Sequence, residues 1–480
     1  MRSPIPTACI ALGGTANRVE ADGSFGQTHT PVMADRLSLR RAIGAVGGSA
    51  GTALTNLLHG LAIMQMCSQK EYGVFAFLLV TQALLTGLSN ALLGSPALIE
   101  LSAKEGPERD QRMQSYLRVN LLLSLIAGLL QASMAWGMDA PIHTSIAFGW
   151  SGLFTTLRWF GRAYGNNTHA HQRVVASDAV YAVVGLSGIA LLFATHSIGL
   201  LQTAWLNAGA AFLALFALPH AYRRLQWEAL FTMIGRNKEH IIGRNKEHMI
   251  GGNKERSGSG HQSPTGSAWA PFREGFKRQG QHALLGVVTT EATANAHPYL
   301  VTLLLGSEAF APLAAAMLLF RPLAVVNMSL TQVERPRLRK LIHQGRATEA
   351  QQSLKRFRLL NLTAWLGNSL LAGGILLFAA GYYWKEQSSM PIFQSSLCML
   401  MLIRLLSSVR APNSVLWQAH DQFRALSRFT LYSALITVPT TALLAYFLGA
   451  EASLIGIFAG ESVLLYLIMG PRNKEVLNER

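Results

Sequence analysis

Residues 70–118 read KEYGVFAFLLVTQALLTGLSNALLGSPALIELSAKEGPERDQRMQSYLR. From Tyr72 to Leu98 the stretch carries no charge. As a helix it is longer than the about 20 residues needed to cross a hydrocarbon core. Only Lys70 precedes it closely, whereas Lys104, Arg109, Arg112 and Arg118 follow. Basic residues collect on the cytoplasmic side of a membrane. The stretch therefore reads as a spanning helix that enters from outside and leaves into the cytoplasm.

The same pattern extends in both directions. Apolar stretches of spanning length lie near 42–66, 72–98, 117–138, 142–163, 174–195 and 197–219, then near 282–305, 309–331, 358–382, 391–409, 428–449 and 452–470. The predicted fold class is an all-α membrane protein of about twelve transmembrane helices in two six-helix lobes, with both termini cytoplasmic. Composition agrees: of 480 residues 50% are apolar and only 14% charged, against about 25% charged in soluble domains. With the N-terminus inside, alternate loops hold 37 of the 41 Lys and Arg residues on the cytoplasmic side and two, Lys70 and Lys385, outside. Arg321 and Arg404 complete the count within predicted spans. The net charge of +16 is thereby accounted for by membrane sidedness, and no nucleic acid partner is expected.

The domain reading follows. Residues 1–37 form a disordered tail or reflect an over-long start, since Met33 begins a second plausible opening. Residues 38–219 are the N-terminal lobe, 220–281 a cytoplasmic linker, 282–470 the C-terminal lobe and 471–480 a cytoplasmic tail. Repeats related by an axis along the membrane normal recur in transporters. A faint internal echo supports them: Gln69-Lys-Glu-Tyr-Gly73 opens the second span and Gly306-Ser-Glu-Ala-Phe310 opens the eighth. The linker carries a tandem octapeptide over 233–256, MIGRNKEH-IIGRNKEH-MIGGNKER. It is too short and polar to stack as a solenoid. It reads as a loop lengthened by duplication, with a basic strip on anionic lipid as the alternative.

Chemistry is excluded more firmly than it is assigned. There is no Walker A, Gly-x-Gly-x-x-Gly or His-Glu-x-x-His signature. Cys9, Cys67 and Cys398 fit no metal spacing. No catalytic residue, metal or cofactor is expected. Outer loops of a few residues leave little material for the catalytic loop of a glycan polymerase or ligase, the enzyme alternative. Attention moves to charges inside the membrane, each costing about 2.5–3.5 kcal/mol on insertion scales. Arg321, followed by Pro322, sits near the middle of the eighth span. Arg404, in the tenth, reaches either a central cavity or the inner surface. Guanidinium groups suit phosphate, so these two are the substrate-binding candidates. Glu291, Glu461 and Asp178 are candidates for ion pairs or for a coupling proton. His59, His297, Arg158 and Arg162 are weaker candidates; the histidines read first as packing residues. The run Ala314, Ala315, Ala316 reads as close helix packing.

The arrangement resembles a known family. Ser68-Gln-Lys-Glu-Tyr-Gly-Val-Phe-Ala-Phe77, Leu304-Leu-Gly-Ser-Glu-Ala-Phe310, Arg321-Pro322 and Val333-Glu-Arg-Pro-Arg-Leu338 are similar to segments of the polysaccharide transporters. These are Wzx-like lipid-linked oligosaccharide flippases of the multidrug/oligosaccharidyl-lipid/polysaccharide (MOP) superfamily, and the resemblance covers about residues 38–470. It implies two lobes working by alternating access in a bacterial inner membrane. It implies a polyprenyl-pyrophosphate-linked oligosaccharide as substrate, moved from inner to outer leaflet, with a glycan polymerase and export machinery as partners beside the bilayer itself. A cation-coupled multidrug exporter of the same superfamily is the alternative.

Overall fold

The computed structural model describes residues 51–94, 96–97, 106–168, 170–231, 270–277, 281–420 and 422–470. The tail of residues 1–37, the start of the first predicted span, the octapeptides and the residues after 470 lie outside them. Over its described residues, each predicted apolar stretch is largely helical. In the first half these are α1 (residues 51–66), α2 (Gln69–Ser89, continued by a π-turn over Asn90–Gly94), α3 (Gly106–Gly137), α4 (Ile142–Asn167), α5 (His171–Ala194) and α6 (Leu200–Phe216). The linker starts as α7 (His220–Phe231), turned by 108° from α6, and returns through α8 (Ala270–Gly275).

The second half is more broken than expected. The predicted span 282–305 is two helices, α9 (Gln281–Ala294) and α10 (Ala296–Leu305). Pro298 explains the break, because it cannot donate to the carbonyl four residues back. The predicted span 309–331 is also two, α11 (Ser307–Leu318) and α12 (Arg321–His343), bent by 55°. Then follow α13 (Ala347–Phe378), α14 (Ala380–Tyr383), α15 (Met390–Ala419), α16 (Phe423–Leu448) and α17 (Ser453–Met469).

Six of these helices are long and apolar enough to cross a membrane, and the bent pairs α6–α7 and α11–α12 add two more. The exterior matches a lipid solvent: Leu303, Leu377 and Phe378 are each more than three-quarters exposed. No strand occurs among the described residues. The chain is an all-α membrane protein.

Helices α3–α6 pack among themselves, as do α9–α17, and α2 bridges the halves by packing against α11. Ser68 caps α2 reciprocally: its side chain accepts from the Glu71 amide, and its own amide donates to the Glu71 carboxylate at 3.0 Å. One turn on, a Cβ added at Gly73 would stand 1.9 Å from the Ser307 carbonyl oxygen. Only glycine permits this approach. The two echoing motifs thus meet face to face, with the Gln69 side-chain amide donating to the Glu308 carbonyl at 2.9 Å. Beside them Gln65 donates to the carbonyls of Tyr382 and Tyr383, Lys385 donates to the Gln65 carbonyl, and Tyr72 meets Trp384 edge-on. This end, the one with the short loops, is latched by polar contacts. Deeper in, the halves meet again where Gly87 approaches Val287.

Candidate functional site: an arginine-lined cavity between the halves

The break between α11 and α12 builds the site. Pro322 falls in the first turn of α12, where its missing N–H is no loss and its fixed φ favours a fresh start. Phe320 is anchored in the core at 1% exposure. Arg321 is thereby placed at the first position of α12 rather than along one continuous span, and it faces a cavity of about 440 Å³ between the halves.

Asn56, Tyr72, Phe75, Arg158 and Tyr181 line this cavity from the first half; Asn295, Phe310, Met317, Arg321 and Arg404 line it from the second. The two substrate-binding candidates read from the sequence therefore share one cavity. Arg404 faces inward instead of snorkelling outward, and its Nε has no hydrogen-bond partner among the described residues. Arg321 makes a single long hydrogen bond, Nη1 to the Asn56 carbonyl at 3.4 Å. Neither has an ion-pair partner among the described residues.

Arg158 is a cavity arginine of another kind. It is 3% exposed and bonded to Asp178, with its Nε donating to Ser177 Oγ at 3.3 Å and its guanidinium 4.4 Å from the Tyr181 ring centre. Arg162 grips the same Asp178 at 2.9 Å and lies over Trp159. One carboxylate thus holds two arginines, leaving one net positive charge. Tyr181 donates to Asn56 Oδ1 at 3.2 Å. A continuous polar chain runs Asp178–Arg158–Tyr181–Asn56–Arg321 from one half to the other.

The remaining candidates divide. Glu461 does not join Arg404; it takes Arg410 of α15 in a two-pronged pair, Nε–Oε2 3.0 Å and Nη2–Oε1 3.2 Å. Arg410 lies six residues, about 9 Å of helix rise, past Arg404. Glu291 accepts from the Asn295 side chain at 2.7 Å and is not joined to His297. His59 donates from Nδ1 to the Thr55 carbonyl at 2.8 Å, and His297 Nε2 lies 3.2 Å from the Met317 sulfur; both rings are buried, and the other nitrogen of each has no hydrogen-bond partner among the described residues. No group of three or more His, Cys, Asp and Glu able to hold a metal occurs among the described residues. Tyr181, Asn56 and Asn295 escaped sequence reading, since uncharged polar residues are common in spanning helices and nothing marks which face they take.

A second, apolar crevice of about 200 Å³ lies between Ala53, Leu54 and Leu57 of α1 and Arg321, Pro322 and Val325 of α12. Arg321 belongs to both spaces.

No protein-family profile matches the sequence, and no curated protein matches it. Solved structures do. A multidrug-resistance MATE-family transporter of the MOP superfamily, in its inward-facing conformation, superposes with TM-score 0.59 at 13% identity, covering 89% of this chain and 96% of that one. The lipid II flippase MurJ, inward closed, gives 0.61 at 11% identity over 90% and 87%. A MOP-superfamily transporter from Pyrococcus furiosus, described as having a binding pocket of reverse polarity, gives 0.51 at 15% identity over 92% and 96%. The chain has the fold of the MOP-superfamily transporters, the superfamily to which its sequence motifs pointed.

Proposed function

We propose that the chain is a flippase that moves a lipid-linked oligosaccharide, carried on a polyprenyl pyrophosphate, from the inner to the outer leaflet of a bacterial inner membrane. About twelve spans with both termini inside fit the 37-to-2 division of basic residues. The observation that carries the reading is the double position of Arg321, between the arginine-bearing central cavity and a smaller apolar crevice. An amphiphile needs both. Sugars and phosphates cannot enter hydrocarbon without replacement of their water, and guanidinium groups supply charge-assisted donors to phosphate. The isoprenoid tail stays in the crevice and the bilayer beyond it. Alternation between states open to either side completes the cycle.

The fold alone is common to multidrug exporters and to lipid flippases. Charge separates them: no carboxylate lines the described cavity, while three arginines do. An organic cation would meet net repulsion there. The transporter from Pyrococcus furiosus, with its reversed pocket, is in keeping with pocket polarity that varies on this fold. Asp178 and Glu461 are neutralised by arginines. Glu291 is the carboxylate left for a coupling proton.

Reconstitution tests the reading. Proteoliposomes of the full chain receive a fluorescent, short-chain polyprenyl-pyrophosphate saccharide in one leaflet, and appearance in the other is followed. Flipping of this anion, with no transport of a cationic dye, is expected. Dye transport without saccharide flipping would overturn the proposal in favour of the exporter.

A further inference from the structure

Away from the central cavity, α12 and α13 form a hairpin turned at Gly345, whose φ of 68° suits glycine. Between its arms lies a second cavity, about 420 Å³, lined by Arg337, Lys340, Arg346, Glu349, Ser353 and Arg356 among others. Leu338, Leu341, Leu354 and Phe357 pack the arms together and against the end of α15, and beneath them Ser353 donates to the buried Glu334 at 2.6 Å.

Its charges do not cancel. Glu334 is engaged by Arg337 at 3.5 Å, and Glu349 by Arg346 through a 2.6 Å hydrogen bond. Lys340 on α12 and Arg356 on α13 have no ion-pair partner among the described residues, and both are exposed. Two uncompensated cations therefore face one preformed space from opposite arms. No aromatic side chain lines it, so nothing there would stack a nucleobase.

Depth identifies the anion. The outward face of α13 turns apolar at Leu359, 67% exposed, and continues through Leu366 and Leu370. Arg356 precedes Leu359 by three residues, about 4.5 Å of helix rise. The headgroup layer is about 5–7 Å deep on each side of the hydrocarbon. Arg356 thus lies within that layer, and Lys340 lines the same pocket from the opposite arm, about 9 Å of helix rise nearer the turn. Basic pockets at this level bind lipid phosphates.

We propose that the α12–α13 hairpin pocket binds the phosphate-bearing headgroup of an anionic phospholipid in the leaflet it faces, through Lys340 and Arg356. The site is independent of the transported substrate. The test uses the purified, delipidated full chain titrated with cardiolipin, with phosphatidylcholine and with inorganic phosphate, read by melting temperature and by lipid retention in native mass spectrometry. Saturable stabilisation and retention are expected with cardiolipin alone. The variant Lys340→Gln/Arg356→Gln should bind it on the order of tenfold more weakly. The control Arg173→Gln/Arg424→Gln, which removes two other exposed charges, should bind as the unaltered chain does. Undiminished binding by the first variant, equal loss in the control, or equal stabilisation by inorganic phosphate would each overturn the proposal.

Discussion

The two halves present arginine to the same cavity in opposite ways. In the first half Arg158 arrives already answered, sharing Asp178 with Arg162 and resting on Tyr181. In the second half neither Arg321 nor Arg404 has an ion-pair partner among the described residues: Arg321 makes one long hydrogen bond, to the Asn56 carbonyl, and Arg404 Nε makes none. Bringing a cation out of water is unfavourable unless something replaces the solvent. Asp178 does so for Arg158 permanently. For Arg321 and Arg404 the replacement is water in the cavity, or an anion that enters it. Under the proposed function the first cluster is structural and the second faces the ligand, and each half of that contrast can be broken separately.

The largest effect is expected from Arg321→Ala. Loss of a two-pronged, charge-assisted contact to phosphate should lower saccharide flipping by roughly a hundredfold, while the melting temperature of the purified protein stays level. A comparable fall in melting temperature would place Arg321 in the structural class and erase the contrast. Asp178→Asn should do the reverse. It leaves Arg158 and Arg162 together without their carboxylate, and breaking such a buried pair costs about 3–5 kcal/mol. Thermal unfolding should show that loss directly; an unchanged melting temperature would mean the cluster is not structural. Glu461→Gln, which strands Arg410, should destabilise by less, about 1.5–3 kcal/mol, because Arg410 keeps 20% exposure.

How much of this contrast was legible in the sequence depends on what sets each feature. The spanning stretches were, because apolar length is a local property; their described residues are almost all helical, though two of the stretches are broken into pairs of helices. Arg321 and Arg404 stood out because a charge within an apolar run is conspicuous by itself. Their partners did not stand out. Whether Arg404 or Arg410 meets Glu461 depends on how α15 is rotated against α17, and a shift of six residues on one helix is invisible before the two are packed. The breaks in α9–α10 and α11–α12 could be suspected from Pro298 and Pro322 but not located, since proline is tolerated in spanning helices when neighbours satisfy the freed carbonyl. The pairing of the two echoing motifs needed Gly73 to be seen against the Ser307 carbonyl. The octapeptides lie outside the described residues, and their role rests where the sequence left it.

The smallest effect separates the two bare arginines from each other. Arg321 sits where cavity and crevice meet and already points a guanidinium N–H at the Asn56 carbonyl, so its fork has a direction. Arg404 lines the cavity but not the crevice, and its Nε has no hydrogen bond among the described residues to direct its plane. A charge that acts without fixed geometry should be replaceable by another charge. Lysine keeps the charge and loses the planar fork. Arg404→Lys should therefore slow flipping only a few-fold, about what one neutral hydrogen bond contributes, whereas Arg321→Lys should retain only part of the activity. Flipping rates of the two lysine variants, measured side by side in the same vesicles, settle the order. Equal losses would mean that both arginines hold the anion by shape, and the distinction between a directed and an undirected cation in this half would fall.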